Sequence, residues 1–190
     1  MKIGLFFGSF NPIHVGHLII ANTMATTTDL QQVWFIVSPQ NPFKKNNSLL
    51  HEFDRYTMVE RAIADNHKLK VTDVEFKLPK PSYTIDTLTV LADKYPEHEF
   101  VLIMGEDNLV QFENWKNYDK ILEFYKIYVY PRPHTAPHNY TSHPSVNFVE
   151  APLLDISATY IRKRLQEQKN IKYLVTEPVE AYIAVKKFYC

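Results

Sequence analysis

Glycine is scarce in this chain. Only four of its 190 residues are glycine, whereas average usage of about 7% would give roughly 13. Three of the four, Gly4, Gly8 and Gly16, lie close to the start of the chain. Because glycine lets a backbone approach a ligand or a neighbour closely, a chain with so few is expected to place them where a side chain would interfere. We therefore look for a binding site first in the opening segment.

Cysteine and long apolar runs are also lacking. The single cysteine is Cys190, which excludes a disulfide framework and a cysteine-based zinc site. No apolar stretch approaches the roughly 18 residues that suggest a membrane-spanning helix, and residues 2–7 have the pattern of a strand rather than of a signal peptide. We therefore expect a cytoplasmic protein that has no membrane partner.

Neither sign of charge is in excess. The chain has 21 Lys and Arg against 21 Asp and Glu, a formal net charge of zero. Proteins that hold nucleic acid through bulk charge carry an excess of basic groups, so nucleic acid is not an expected partner and any phosphate site must be local. Hydrophobic residues make up 45% of the chain, enough for a packed core. The length predicts one domain that spans residues 1–190.

Short apolar runs alternate with segments of helical periodicity. Strands are predicted at residues 2–7, 33–37, 70–76, 100–104, 126–130 and, more weakly, 146–150. Helices are predicted at residues 14–26, 54–64, 84–95, around 121, 157–168 and 177–187. This alternation predicts an α/β fold, a doubly wound parallel sheet with helices on both faces. Such sheets bind ligands at the carboxyl ends of their strands, where the strand order reverses.

The segment GSFNPIHVGH, at residues 8–17, joins the first predicted strand to the first helix. A helix N-terminus suits a phosphate group, and His14 and His17 share one helical face because they are three residues apart. Gly16 lies inside a helical turn, where alanine is favoured by about 1 kcal/mol, so we expect a nucleotide to need that space. The alternative is that the two histidines form a surface pair or half of a metal site.

The segment DISATYIR, at residues 155–162, begins the fifth predicted helix. Ser157 has the position of an N-cap, and Thr159 and Arg162 follow it in the first turns. A hydroxyl, backbone amides and a guanidinium group at one helix start can all donate to one polyphosphate. The alternative is a capped surface helix with a basic face.

Both segments resemble motifs of the nucleotidyltransferase superfamily that is related to class I tRNA synthetases. The first is similar to the signature GxFxPxHxGH, and the second to the motif ISxTxIR, which in that superfamily binds the β- and γ-phosphates of ATP. The resemblance implies a Rossmann-like nucleotidyltransferase fold with His14 and His17 as catalytic residues. The ATP-binding residues that it implies are Gly8, Ser9, Phe10, His14, His17, Ser157, Thr159 and Arg162.

The middle of the chain resembles one family in particular, the nicotinate-nucleotide adenylyltransferases. The similarity is carried by PSYTIDTL at residues 81–88, GEDNL at residues 105–109 and the tryptophan that follows, and it extends over nearly the whole chain. It implies that Trp115 stacks on the pyridine ring and that Thr84 and the amide of Lys116 hold the nicotinate carboxylate. Asp107 would lie near ribose hydroxyls. From the residues alone, Trp115 could equally be a half-buried aromatic, and Thr84 or Asp107 a helix cap.

Three further basic residues are less clearly assigned. The segment NPFKK at residues 41–45 matches a phosphate-binding loop of the family imperfectly. Lys45 aligns with its basic residue and is therefore predicted to bind the mononucleotide, while the role of Lys44 stays open. Arg132, in the Pro- and His-rich segment 131–145 that we expect to be a surface loop, is a further candidate phosphate contact.

The resemblance implies that the chain transfers the adenylyl group of ATP to nicotinate mononucleotide, giving nicotinate adenine dinucleotide and pyrophosphate in NAD biosynthesis. Mg²⁺ is the implied cofactor, bound mainly through ATP phosphates, because the sequence shows no metal-binding cluster of its own. Homo-oligomerisation is left open. The alternatives are an adenylyltransferase for nicotinamide mononucleotide or phosphopantetheine, a non-catalytic nucleotide sensor, and a metal-binding protein.

Overall fold

The computed structural model describes residues 1–40 and 49–189 of the chain. Its strands are β1 Lys2–Gly8, β2 Gln32–Val37, β3 Leu69–Thr72, β4 Glu99–Gly105, β5 Lys126–Tyr130 and β6 Val146–Phe148. Its helices are α1 Val15–Thr27, α2 Glu52–Ala62, α3 Thr84–Lys94, α4 Tyr118–Phe124, α5 Ala158–Gln166 and α6 Glu177–Lys186. Within the described ranges, no helix is both long and apolar enough to cross a membrane.

The six strands form one parallel sheet in the order β3-β2-β1-β4-β5-β6. Parallel neighbours need crossover connections, and the alternating helices supply them. The central strand β1 pairs with β2 on one side and with β4 on the other, so the strand order reverses between β1 and β4. The predicted doubly wound α/β sheet is therefore confirmed, and its switch point lies at the carboxyl end of β1.

Two buried clusters, one on each face of the sheet, hold the layers together. Side chains of alternate strand residues point to opposite faces, so Phe6 belongs to the cluster under α1, α2 and α6, while Leu5 belongs to the cluster under α3 and α4. The central strands are apolar on both faces, as parallel strands covered by helices on both sides require. This packing fixes the strand ends that carry the candidate site.

The predicted strand at residues 70–76 is wrong in its second half. Strand β3 ends at Thr72 and is followed by a 3₁₀ helix, Val74–Lys77. The 3₁₀ turn brings Glu75, which is 2% exposed, into the protein interior. There the carboxylate accepts hydrogen bonds from the hydroxyls of Ser82 and Thr87. These tertiary contacts override the alternating pattern, which alone indicates a longer strand.

Helix α2 carries a fully buried arginine, Arg55. Its guanidinium group donates to the backbone oxygens of Ser9 (2.6 Å), Ser38 (2.8 Å) and Pro39 (3.1 Å), and its Nε to that of Leu50 (2.9 Å). One side chain thus ties the segment after β1 to the segment after β2. These are the two turns at the edge of the sheet where the topology predicts a ligand.

Candidate active site

The first motif forms the turn from β1 into α1. His14 occupies the N-cap of α1, and the rings of His14 and His17 stack with centroids 3.7 Å apart. The backbone N–H of His14 donates to Nδ1 of His17 at 3.3 Å. Because a neutral imidazole has one donor and one acceptor nitrogen, this hydrogen bond assigns the proton of His17 to Nε2. His17 can therefore offer an Nε2–H donor to a ligand.

Burial keeps both imidazoles neutral. Burial, and then the positive charge of Arg132, lower the pKa of His14 to about 4. Burial, the neighbouring His14 and Arg132 lower the pKa of His17 well below its usual value of 6.5. An anionic ligand would act in the opposite direction, since a nearby negative charge favours the protonated form. Near pH 7 the free protein thus offers neutral histidine donors beside an arginine, an arrangement that suits phosphate oxygens.

The second motif reaches the first through Arg162. Its Nη1 donates to the backbone oxygen of Asn11 at 2.8 Å, and its Nη2 donates to Oγ1 of Thr159 at 3.1 Å. Ser157 is the N-cap of α5, as predicted, and its Oγ accepts from the amide of Tyr160 at 3.2 Å. Two segments about 150 residues apart in sequence therefore meet at one place, at the start of two helices.

The space beside Gly16 is filled by the protein itself. A Cβ atom at Gly16 would lie 2.5 Å from Cγ2 of Ile156, in the second motif. The structure thus gives a reason for this glycine that was not predicted: it allows the two motifs to pack together, while Gly16 also lines the cleft beside the histidine pair. Gly8 has a similar role, because its Cβ would lie 2.7 Å from the ring of Phe10. Phe10 as a whole, ring and backbone together, is 1% exposed, so little of its surface is accessible for the predicted contact with ATP.

A shallow cleft, lined by His14, His17, Arg132 and Ile156 among others, lies beside the histidine pair. The Arg132 guanidinium stands over the ring of Tyr130, 5.3 Å from its centroid. Its Nε lies 3.6 Å from a carboxylate oxygen of Asp107. Arg132, which the sequence left as a secondary candidate, is therefore next to both predicted catalytic histidines.

A larger cleft opens on the other side of the switch point. Its empty volume is about 640 Å³, which includes space that is open to solvent. Its walls come from the ends of β1 and β2, the start of α3 and the segment after β4. Four residues of its wall are Gly8, Thr84, Trp115 and Lys116. Trp115 is half-buried against Phe112, with ring centroids 5.3 Å apart. An aromatic face, a hydroxyl and a backbone segment in one cleft are suited to a flat ring with a polar substituent.

The other residues predicted to bind the mononucleotide contribute less to the larger cleft. Asp107 lies beside Arg132, whereas its neighbour Asn108 lines the larger cleft. The Lys116 ammonium pairs with Asp86 at 2.8 Å, which leaves its backbone as the predicted contact. Lys44 and Lys45 lie outside the described residues.

Several residues at the site escaped the sequence analysis. The Asn11 side-chain oxygen accepts from the amide of Leu50 (3.3 Å) and from the hydroxyl of Tyr189 (2.7 Å), so the segment after α6 is anchored to the first motif. Arg55 could have been noticed, because it shares the apolar face of α2 with Met58 and Val59 at helical spacing. Glu75 and Tyr189 gave no such signal, since their partners are distant in sequence or in another element.

The positive charges around the histidine pair disfavour the binding of a bare metal ion. The positive charges of Arg132 and Arg162 attract anionic groups such as phosphate oxygens and repel a bare cation. Among residues 1–40 and 49–189, no group of three or more His, Cys, Asp or Glu side chains is placed to hold a metal ion. A divalent ion therefore fits this site as part of a nucleotide complex, held by phosphate and water oxygens.

Comparison with known sequences places the chain among characterised families. The cytidylyltransferase-like family model matches residues 5–164. A protein of Cytophaga hutchinsonii named "Probable nicotinate-nucleotide adenylyltransferase" is 65% identical over 189 residues, which are 100% of this chain and 98% of that protein. A protein of Flavobacterium johnsoniae with the same name is 53% identical over 191 residues, covering 100% of this chain and 99% of its own length.

Solved structures show the same fold. The nicotinic acid mononucleotide adenylyltransferase of Plasmodium falciparum, complexed with NaAD, superposes with a TM-score of 0.84 at 20% identity. The match covers 99% of this chain and 97% of that chain. A second structure of the same protein, complexed with APC, gives a TM-score of 0.83 over 99% of this chain and 96% of that one. The predicted Rossmann-like nucleotidyltransferase fold is thereby confirmed.

Proposed function

Because the chain belongs to the nicotinate-nucleotide adenylyltransferases, within the cytidylyltransferase-like family, we propose that it transfers the adenylyl group of ATP to nicotinate mononucleotide. The products are nicotinate adenine dinucleotide and pyrophosphate. One observation carries the proposal: the hydrogen bond from Arg162 to the Asn11 carbonyl joins the two phosphate motifs beside the histidine pair. The joined motifs adjoin the cleft that holds Trp115 and Thr84, so both substrates reach the same sheet edge.

The reaction requires alignment more than it requires a base. A phosphate oxygen of the mononucleotide attacks the α-phosphorus of ATP in line. The bond from that phosphorus to the oxygen that bridges to the β-phosphorus breaks, and pyrophosphate leaves with the electron pair. The attacking phosphate is already ionised near pH 7, so no side chain has to remove a proton. The protein must hold two anions together and stabilise charge on the α-phosphoryl and leaving oxygens.

We assign the binding of ATP to the two motifs. His17 donates from Nε2–H to an α-phosphate oxygen, and His14 helps to hold the phosphates. Ser157, Thr159 and Arg162, at the start of α5, bind the β- and γ-phosphates. The backbone of Gly8, Ser9 and Phe10 borders the nucleotide. Burial of the histidines supports these roles, because donors in a low-dielectric, fixed setting stabilise developing charge strongly.

We assign the binding of the acceptor, nicotinate mononucleotide, to the larger cleft. Trp115 stacks on the pyridine ring, whose positive charge favours an electron-rich indole face. The hydroxyl of Thr84 and the amide of Lys116 hold the nicotinate carboxylate. Asp107 contacts ribose hydroxyls and Lys45 contacts phosphate. Support comes from the cleft itself, which brings Thr84, Trp115 and Lys116 together from two separate segments.

A divalent metal ion accompanies ATP in nucleotidyltransferases of this family, and for this chain we propose Mg²⁺. When bound, the ion neutralises part of the phosphate charge. Arg162 and the histidine donors would bind phosphate oxygens together with the ion. No protein ligand for the ion is assigned, because phosphate and water oxygens would hold it.

Pyrophosphate release with competing acceptors tests this function. Purified protein, ATP and Mg²⁺ are incubated separately with nicotinate mononucleotide, nicotinamide mononucleotide and phosphopantetheine. We expect kcat/KM to be highest for nicotinate mononucleotide, because the start of α3 offers N–H and O–H donors to a carboxylate. Higher turnover with either other acceptor would assign the chain to a different reaction. ATP binding without turnover of any acceptor would indicate a nucleotide sensor.

A further inference from the structure

The wall of the acceptor cleft contains a buried carboxylate that the reaction leaves unexplained. Glu75 is 2% exposed and lines the same cleft as Thr84 and Trp115. An acidic side chain is unexpected here, because a second carboxylate would repel the nicotinate that the cleft is proposed to bind. Burial of such a group is costly unless its oxygens are hydrogen-bonded, so its presence calls for a specific role.

Both carboxylate oxygens of Glu75 are directed at the start of α3. Oε2 accepts from Oγ of Ser82 at 2.7 Å, and Oε1 accepts from Oγ1 of Thr87 at 2.8 Å. Both donors are buried. Ser82 lies two residues before Thr84 and Thr87 three residues after it, so the carboxylate holds the first turn of α3 from both sides.

The start of α3 has no side-chain cap of its own, although Asp86 in its first turn pairs with Lys116. The N-cap residue, Tyr83, makes no capping hydrogen bond with its side chain. A side-chain cap typically contributes about 1 kcal/mol and orients the first turn. At this helix, the two hydroxyl-to-carboxylate bonds take over that orienting role, because they attach both flanks of the turn to the 3₁₀ helix Val74–Lys77.

The charge of Glu75 is moderated by its surroundings. Burial raises its pKa, while the hydroxyls that donate to it and the positive charge of Arg55 act against that rise. Its hydrogen-bonded oxygens are directed at Ser82 and Thr87, within the protein wall. The carboxylate can therefore organise the cleft without itself being a ligand for the substrate.

We infer that Glu75 is a positioning residue for the acceptor site: by holding Ser82 and Thr87, it sets the place of Thr84 and of the first-turn amides of α3. The inference rests on the proposed function, since it takes the occupant of the cleft to be nicotinate mononucleotide. We expect the effect of Glu75 to fall on acceptor affinity, because its hydrogen bonds go to the two flanks of the first turn of α3 and not to the histidine pair.

The test is the steady-state kinetics of Glu75→Gln. Glutamine keeps the shape of glutamate but is neutral. Its NH₂ group can donate to a hydroxyl but cannot accept from one, so both bonds lose the charge of the carboxylate and one of them must reverse its direction. We expect KM for nicotinate mononucleotide to rise about tenfold, the size of effect from losing one hydrogen bond to a charged group. KM for ATP and kcat should stay within about twofold. Asp73→Asn, on an exposed carboxylate two residues away, should leave all three values unchanged.

Variants of the two hydroxyls separate positioning from general damage to the fold. Ser82→Ala and Thr87→Val should each raise KM for the mononucleotide, whereas Thr87→Ser, which retains a hydroxyl, should stay close to wild type. The three hydroxyl variants test the same inference if Glu75→Gln does not fold. An unchanged KM for the mononucleotide in folded variants, or an equal rise for both substrates, would overturn the inference. Absence of turnover in the wild-type protein would instead overturn the proposed function.

Discussion

Replacing His17 with alanine is expected to lower kcat about 100- to 1000-fold, equivalent to about 2.7–4 kcal/mol of transition-state stabilisation. The reason is geometric: the amide of His14 donates to Nδ1 of His17, which leaves Nε2–H as the donor to the α-phosphoryl oxygens as their charge develops. The KM for ATP should change much less, because this contact strengthens mainly in the transition state. Steady-state kinetics with ATP and nicotinate mononucleotide measure both parameters.

Two conservative substitutions at the same position test which nitrogen acts. The amide nitrogen of glutamine can reach the place of Nε2, whereas the shorter asparagine reaches only the place of Nδ1. His17→Gln should therefore recover part of the kcat that His17→Asn and His17→Ala lose. Equal kcat in all three variants would refute the assignment to Nε2, and wild-type kcat in His17→Ala would remove the residue from the mechanism.

The pH dependence follows from the low pKa of the pair. The ratio of kcat/KM for ATP between wild type and His17→Ala reports the ionisation of the free protein, because the substrate's own titration cancels. With the pKa of His17 held well below 6.5, the imidazole is neutral throughout the range from about pH 6.5 to 8.5. The ratio should be flat there. A decline with rising pH would show that a protonated His17 is the active form.

Substituting Arg55 with methionine is expected to lower the free energy of unfolding by about 3–5 kcal/mol. Four backbone oxygens, in three segments, accept from this fully buried side chain. Methionine would leave these buried and partly buried oxygens without their donor, and each unsatisfied group is costly. The melting temperature should fall by roughly 6–20 °C for a chain of this size, as measured by thermal or urea unfolding.

Arg61 provides the matched control on the same helix. It is exposed, with its guanidinium 4.4 Å from the centroid of the Tyr182 ring. Such an exposed cation–π contact is worth about 0.5–1 kcal/mol, so Arg61→Met should have a small effect. If Arg55→Met were as mild as Arg61→Met, the guanidinium group would not be what ties the ends of β1 and β2 together.

The parts of the molecule that could be predicted from sequence are those set by local pattern. Apolar runs separated by helical periodicity indicate the parallel sheet, because periods of two and 3.6 residues follow from backbone geometry. The closeness of His14 and His17 could be predicted from their spacing of three residues, although the structure places His14 at the N-cap of α1 rather than inside the helix. The N-cap at Ser157 could be predicted because it depends on residue type and position alone.

The parts that could not be predicted depend on contacts between distant residues. The hydrogen bond from Tyr189 to Asn11 joins residues 178 positions apart, and nothing local to either residue indicates it. Gly16 shows the same limit: its sequence context suggests space for a ligand, while its actual neighbour is Ile156. The 3₁₀ turn that buries Glu75 likewise depends on hydroxyls that belong to the next element along the chain.

The most direct measurement is a crystal structure of this protein with a non-hydrolysable ATP analogue. We expect the α-phosphate to lie within hydrogen-bond distance of Nε2 of His17, and the β- and γ-phosphates to lie at the start of α5 near Arg162. The cleft beside Trp115 should remain open for the second substrate. A triphosphate bound away from both the histidine pair and the start of α5 would contradict the account.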